Sequence, residues 1–522
     1  MRIRPPEIST RQLAFVLFVF SSVLFVQMIK ISRPYSGHFS SYQANGNASI
    51  ARNMLKENFS ECHLPKTDIL IGGKKSLHLN AYPMPALLAA LGVRLWGGSL
   101  EFWGRFQAVL FNLMTIILVG LIAAHWFNSF TGWTALLIYA FSPFSILYGQ
   151  GFFSEPGAVF FTLLSIFLIK KNEKENSLLR ISLAGFCFSV GILARIHFVL
   201  LLPAFLLHVG WNKESRGLKL ILFTVLTVVI PLTWFSYTLW ASVNASNVHT
   251  NLFAQLATRV LQDKPLLLSL SYYLKIFDIV SGHMLTPVVF PLFILGVYLA
   301  KEAGKSFWIA LSYLLSGFLI AILSPQKVME QDFYLALGLP FLSIFGAVGS
   351  AAIWQTFGLK RNVKFTFFIL FFYFLVSSRY FLNPIFKGSE NINTILEAAA
   401  VVQRETDPND FLIVAGNDTN LLGYYIDRPY WPLNFNLIDK PLLLYHKMFR
   451  YMGNSPAEVD ELEKARKDVL SWFELLRKKG ARYLVSAPKK ELEANPTLLD
   501  YLNQSAERIS KEGDFFLFRL KS

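Results

Sequence analysis

Three side chains of this sequence are placed for proton transfer, Glu155, His38 and Asp332, and five for holding an anionic or polar ligand, Arg52, His78, Lys327, Tyr334 and Arg195. Glu155 heads an apolar run, where a carboxylate is costly unless it is solvated or paired. Pro156 in the first turn and the helix dipole also suit a plain structural carboxylate there. His38 and His78 can serve as bases, or as metal ligands together with Glu155 or Asp332, while Asp332 equally suits a helix N-cap. Arg52, in Ser49-Ile-Ala-Arg-Asn-Met-Leu, carries the planar fork that matches phosphate oxygens, and Lys327 offers a point charge for the same purpose. Arg195 lies mid-way along an apolar stretch. Unpaired in lipid it costs about 2.5 to 3.5 kcal/mol, so it either lines a cavity or rests at an interface. Tyr334 either shapes a ligand site or joins a rim of interfacial aromatics.

The elements that must position these residues are dominated by apolar runs. Of the 522 residues, 53% are hydrophobic and only 16% charged, which excludes an ordinary soluble enzyme. A membrane crossing takes about 20 apolar residues. Runs near that length cover 13–31, 106–127, 130–147, 155–169, 181–209, 218–241, 284–300, 307–323, 333–354 and 365–381. The 181–209 run is too long for one span and holds Arg195 and His197 at its middle, so it divides into two short helices, giving about 11 transmembrane helices. The first run resembles a signal peptide but lacks a small-residue cleavage site after Val26, and is expected to be retained as a span.

The net charge is +15, and the bases of the first 380 residues sit between the apolar runs, where they act as topology signals and argue against nucleic acid. With the N-terminus cytoplasmic, the inner loops collect Lys170, Lys171, Lys174 and Arg180, then Lys213, Arg216 and Lys219, then Lys301 and Lys305, then Lys360, Arg361 and Lys364. That arrangement leaves on the outer side a loop over 32–105, a turn near 149–154, a loop over 242–283 and the tail. Residues 252–262 recur at helical spacing as a surface amphipathic helix. The tail alternates an expected helix over 393–404, a strand 411–415, a helix 457–479 and strands 482–486 and 515–520, a small α/β domain. The domains expected are therefore a membrane module over 1–382 and an extracytoplasmic domain over 383–522. Two cysteines, Cys62 and Cys187, exclude a disulfide framework and a cysteine-based zinc site. Five N-x-S/T sequons, at Asn47, Asn58, Asn244, Asn417 and Asn503, all fall on the expected outer side.

Three stretches on that side carry a resemblance. The first runs from Gly37-His-Phe-Ser-Ser-Tyr-Gln-Ala-Asn-Gly-Asn-Ala-Ser-Ile-Ala-Arg-Asn-Met-Leu through His78-Leu-Asn-Ala-Tyr-Pro-Met-Pro to Leu95-Trp-Gly-Gly-Ser-Leu-Glu-Phe-Trp-Gly-Arg-Phe. The second is Ser142-Pro-Phe-Ser-Ile-Leu-Tyr-Gly-Gln-Gly-Phe-Phe-Ser-Glu-Pro, and the third Gln331-Asp-Phe-Tyr-Leu-Ala-Leu-Gly-Leu-Pro. In order and sidedness they resemble the polyprenyl-phosphate-dependent glycosyltransferases of the GT-C fold, the group that contains protein O-mannosyltransferases and aminoarabinose transferases. Members of that group commonly carry an Asp base soon after the first span; here the stretch offers His38, Tyr42, Gln43, Asn45 and Asn47 instead. Gln331 stands where a His is frequent.

The resemblance implies transfer of a sugar from a polyprenyl-phosphate donor to a hydroxyl of a glycan, lipid or protein acceptor at the non-cytoplasmic face. It implies a single displacement with inversion, with a divalent cation as an optional cofactor. Such chemistry needs a base near the acceptor, positive charge on the departing phosphate and a groove for the prenyl chain. For that chemistry Glu155, His38 and Asp332 are the catalytic candidates, with Glu155 and His38 as candidate metal ligands, and Arg52, His78, Lys327, Tyr334 and Arg195 the substrate-binding ones. The resemblance further implies the plasma membrane with a periplasmic or extracellular tail, or alternatively the endoplasmic reticulum. A flippase for lipid-linked saccharides and an inactive relative acting in assembly are the rival readings.

Overall fold

Apolar sequence with few charges forms helix almost wherever it is long enough, because within a membrane the backbone must satisfy its own hydrogen bonds. The computed structural model is accordingly mostly helical, with a small sheet. It describes residues 10–29, 31–36, 39–71, 73–211, 216–245, 248–251, 264–357, 361–387, 391–438, 461–462, 464–510 and 512–521. His38 and the expected amphipathic helix over 252–262 lie outside the described residues, as does the start of the expected 457–479 helix. Among the described residues, five helices are long and apolar enough to cross a membrane: Leu100–Trp126, Arg216–Ser242, Thr286–Ala303, Lys305–Leu323 and Leu339–Thr356. The pair Ser129–Phe141 and Pro143–Gly149, bent by 61°, makes a sixth if counted as one span.

The chain divides into two units, each built from three separate stretches. The first joins 1–31, 105–233 and 259–383 and is a helix bundle. Helix Glu155–Glu175 packs on Leu178–Ala194, and Thr286–Leu299 packs on Leu339–Phe357, which also meets Ser129–Phe141. The Thr286–Leu299 and Leu339–Phe357 helices touch backbone to backbone. A Cβ on Gly296 would fall 1.7 Å from the Phe345 carbonyl oxygen, and one on Gly349 2.0 Å from that of Leu292. Small residues at such crossings let apolar helices associate by close contact where no water drives them together. The 181–209 run breaks where its charge sits: Leu178–Ala194 ends at Arg195, a 3-10 turn covers Ile196–Leu201, and Leu202–Gly210 follows.

The second unit joins 32–104, 234–258 and 384–522. Its eight-stranded sheet comprises β1 (Lys66–Ile71), β2 (Lys74–Leu79), β3 (Val248–Asn251), β4 (Leu412–Gly416), β5 (Tyr430–Asn434), β6 (Tyr483–Ser486), β7 (Ala506–Arg508) and β8 (Phe516–Leu520). They run in the order β3-β2-β1-β5-β4-β6-β8-β7. Strands β1, β5, β4 and β6 are parallel, and β8 closes antiparallel on β6. Tail strands β4, β6 and β8 match the expected ones; β3, β5, β7 and the β1–β2 hairpin are additional. The core on one face gathers Ile413, Leu433, Leu484 and Phe518 with Trp472, Phe473 and Leu476 of helix Val469–Lys478 and Leu498 and Leu502 of helix Pro496–Ser505.

Candidate active site

In the first unit two motifs far apart in sequence come together. Helix Glu155–Glu175 begins at the acid itself, with Ser154 as cap and Pro156 in its first turn. The Glu155 carboxylate is 1% exposed and lies 2.7 Å from Nε of Arg195, whose side chain is 11% exposed. Arg195 is the residue at which the long apolar run breaks, so the backbone interruption and the charge share one cause: the guanidinium turns inward to an anion rather than standing in lipid. Its charge centre also lies 5.5 Å from the ring centre of Phe333, a cation–π arrangement. The sequence leaves a cavity wall or an interface open for Arg195; the structure shows it mostly buried and paired with Glu155.

Asp332 begins the 3-10 turn Asp332–Leu335. Its carboxylate accepts a hydrogen bond from the Tyr148 hydroxyl, which belongs to the motif that ends in Glu155. The Phe333 ring meets Tyr148 edge-on at 5.9 Å and Phe153 at a tilt at 5.6 Å, and Tyr334 lies 4.8 Å from the ring of His197. A cavity of about 20 Å³, room for roughly one water, is lined by Glu155, Tyr148, Asn112 and Ser145 among others. The structure thus brings Glu155, Arg195, Asp332 and Tyr334 into one neighbourhood. Lys327, on the short helix Pro325–Glu330, makes an ion pair at 3.5 Å with Glu330. Tyr148, Phe333 and His197 were given no site role from sequence, His197 being noted only at the middle of the 181–209 run. The first two stood inside the quoted motifs, and the third only two residues from Arg195.

Arg52 and His78 belong to the second unit. Arg52 sits on helix Ser49–Lys56 with its fork turned onto protein acceptors. One terminal nitrogen donates to Asp68 Oδ2 at 2.5 Å, the other to the Tyr424 carbonyl at 2.5 Å, and Nε lies 2.9 Å from Asp427. The guanidinium also rides 4.4 Å over the Tyr424 ring. Asp68, 3% exposed, further accepts from Ser49 at 2.8 Å and faces Lys75 at 3.4 Å. Burial alone would push its carboxyl up, but Arg52 and Lys75 outweigh that and hold it at about 2. Burial would likewise lower the Arg52 guanidinium, yet Asp68 and Asp427 carry it above its ordinary range. His78 is half-buried in β2, its backbone N–H donating to Pro65 at 2.8 Å, and pairs with Thr250 of β3.

Among the described residues no group of three or more His, Cys, Asp or Glu side chains is arranged to hold a metal ion. Glu155 faces a guanidinium, and Asp332 a hydroxyl proton, so neither fits a divalent-cation donor set as placed.

The sequence model of the dolichyl-phosphate-mannose-protein mannosyltransferase family matches residues 80–240, which include Glu155 and Arg195. No curated protein matches the chain. Among solved structures, ArnT from Cupriavidus metallidurans bound to undecaprenyl phosphate is 15% identical with a TM-score of 0.63, covering 97% of this chain and 98% of its own. The oligosaccharyltransferase AglB from Archaeoglobus fulgidus, in complex with an inhibitory peptide and a dolichol-phosphate, is 10% identical with a TM-score of 0.57, covering 98% and 75%. The mycobacterial arabinofuranosyltransferase AftD is 12% identical with a TM-score of 0.62, covering 98% of this chain and 40% of its own. The chain therefore has the GT-C fold of these glycosyltransferases, and its residues 80–240 carry the sequence pattern of the mannosyltransferase family.

Proposed function

We infer that this protein is an integral-membrane glycosyltransferase that moves a sugar from a polyprenyl-phosphate donor to an acceptor hydroxyl on the non-cytoplasmic side. The observation that carries the reading is the buried Glu155–Arg195 pair beside Asp332 and Tyr148, in a chain whose fold matches an undecaprenyl-phosphate-bound transferase over 97% of its length. Departure of polyprenyl phosphate puts charge on a phosphate oxygen, and an oriented guanidinium stabilises that charge without reorganising. Arg195 is the residue proposed for this role. Glu155 fixes its Nε and so sets the direction of the fork, acting through Arg195 rather than on the sugar itself. Tyr334 and Lys327 are proposed along the donor path, and His38 and His78 on the first loop near the acceptor. Arg52, saturated by Asp68, Asp427 and Tyr424, is proposed to hold the first-loop helix within the second unit.

About eleven crossings, with the N-terminus cytoplasmic and the 383–522 domain outside, complete the proposal. The short apolar helices Leu17–Met28, Leu178–Ala194 and Ile196–Gly210 support that count beside the longer ones. The plasma membrane is the proposed location. A divalent cation enters only as an arm of the test, prompted by the AglB structure in complex with Zn and sulfate.

Sugar transfer by the purified chain from a panel of polyprenyl-phosphate sugars, read as release of polyprenyl phosphate, tests the reading. Arg195→Ala is expected to lose turnover, and EDTA to leave it unchanged if no cation takes part. No release from any donor, with total cellular lipid and glycan extracts as acceptors, sinks the transferase and favours a carrier of lipid-linked saccharides.

A further inference from the structure

One side chain beside the Glu155–Arg195 pair is left unused by the interactions above. His197 lies two residues beyond Arg195 in the 3-10 turn Ile196–Leu201 and is 8% exposed. Its ring rests 4.8 Å from Tyr334 and 5.1 Å from Phe198. Nε2 is buried and has no hydrogen-bond partner among the described residues. Enclosing a polar nitrogen without a partner is costly, and buried polar groups are nearly always satisfied. Leu or Phe at this position would avoid that cost in a turn otherwise made of Ile, Phe, Val and Leu. The nitrogen therefore marks a place where something else supplies the missing partner.

The neighbours narrow what that partner does. The Glu155 carboxylate is neutralised by the Arg195 guanidinium and Asp332 already receives the Tyr148 proton, whereas His197 Nε2 has no hydrogen-bond partner among the described residues. A neutral imidazole with its proton on Nδ1 is a competent acceptor at Nε2.

We propose that His197 is the general base of the transfer. Nε2 takes the proton of the acceptor hydroxyl as that oxygen's lone pair forms the bond to the anomeric carbon. The bond from that carbon to the donor phosphate oxygen breaks, and its electron pair leaves with polyprenyl phosphate. The assignment rests on the transferase reading given above. The Arg195 cation stands in the same neighbourhood, where the leaving phosphate gains charge.

The test compares His197→Gln and His197→Ala with the parent as full-length protein in lipid nanodiscs, using a polyprenyl-phosphate sugar that the parent turns over. Gln places an amide near the position of Nε2 without its basicity, so a merely structural or hydrogen-bonding role survives that substitution. Expected is a fall in kcat of about 10² to 10⁴-fold in both variants, with donor KM within about threefold of the parent. Free imidazole should restore turnover to His197→Ala in proportion to its concentration. A kcat for His197→Gln within a few-fold of the parent, or a loss carried by KM alone, overturns the assignment while leaving the transferase intact. A parent that releases polyprenyl phosphate from no donor overturns both, so the two failures are told apart by the parent's own activity.

Discussion

Removing one member of the Glu155–Arg195 pair should cost more than removing both. The charges approach to 2.7 Å, with the acid 1% and the arginine 11% exposed. Across about 4 Å between charge centres at an effective dielectric near 20, their attraction is about 4 kcal/mol. Desolvating both groups costs a similar amount, so the pair roughly breaks even against apolar side chains of like volume. Breaking it from one side gives a different result. Glu155→Gln strands a guanidinium, and Arg195→Met a carboxylate, each at about 3–5 kcal/mol. The double variant Glu155→Gln/Arg195→Met should unfold close to the parent yet transfer no sugar. Thermal unfolding of the four proteins side by side in one detergent, followed by tryptophan fluorescence, reads the stability; the transfer assay reads the function. Additive losses, with the double variant less stable than either single one, would refute the reasoning, as would four coincident melting curves.

Three further outcomes follow from the geometry. Asp68, held near 2 against an ordinary 3.8, stabilises the fold fully above about pH 4. That contribution, about 2 kcal/mol, is lost as pH falls through 2. Asp68→Asn should remove this acid-sensitive part, and limited proteolysis across pH 5 to 2.5 that runs identically in both proteins would contradict it. Gly296→Ala and Gly349→Ala each force a methyl into a backbone carbonyl, so each should destabilise the bundle by about 1–3 kcal/mol or more, visible as lower detergent melting. Unaltered melting in both would show that the helices part without cost. Tyr148→Phe removes the proton that Asp332 receives, and should lower turnover with little change in melting, since the ring keeps its packing on Phe333. A variant as active as the parent would separate Asp332 from the reaction.

The helical bundle was legible in the sequence because apolar runs without charges have few other structures open to them. The break at Arg195 was legible for the same reason: a charge inside a long run has to be accommodated. The strands of the tail with continuous apolar character, Leu412–Gly416 and Phe516–Leu520, were legible too. Strand Tyr430–Asn434 was hidden by Pro432, which normally argues against a strand flanked on both sides. Strand Lys66–Ile71 was hidden by Thr67 and Asp68, polar residues buried within it, so no alternation of apolar and polar residues announced it. The pairing of Glu155 with Arg195 and of Tyr148 with Asp332 required knowing which helix ends meet. Local pattern carries no such information. Arg52 shows the same limit from the other side: an arginine with the fork suited to phosphate proves to be spent on Asp68 and on Asp427, some 375 residues away.

The mixed ancestry of the second unit's sheet sets a timetable for its assembly. Ile69 of β1 pairs with Tyr430 of β5, about 360 residues later in the chain. At about 5–20 residues per second of synthesis, the hairpin made of β1 and β2 exists for roughly 20–70 s before its neighbour emerges from the ribosome. Throughout that interval β1 presents an open edge, the kind of template on which strands of other chains pair. Arg52 meanwhile has Asp68 but neither Asp427 nor the Tyr424 carbonyl. Nascent chains halted before residue 430 should therefore be held by chaperones or cleared by proteases, and the last quarter of the gene product acts as the checkpoint on whether its first loop survives.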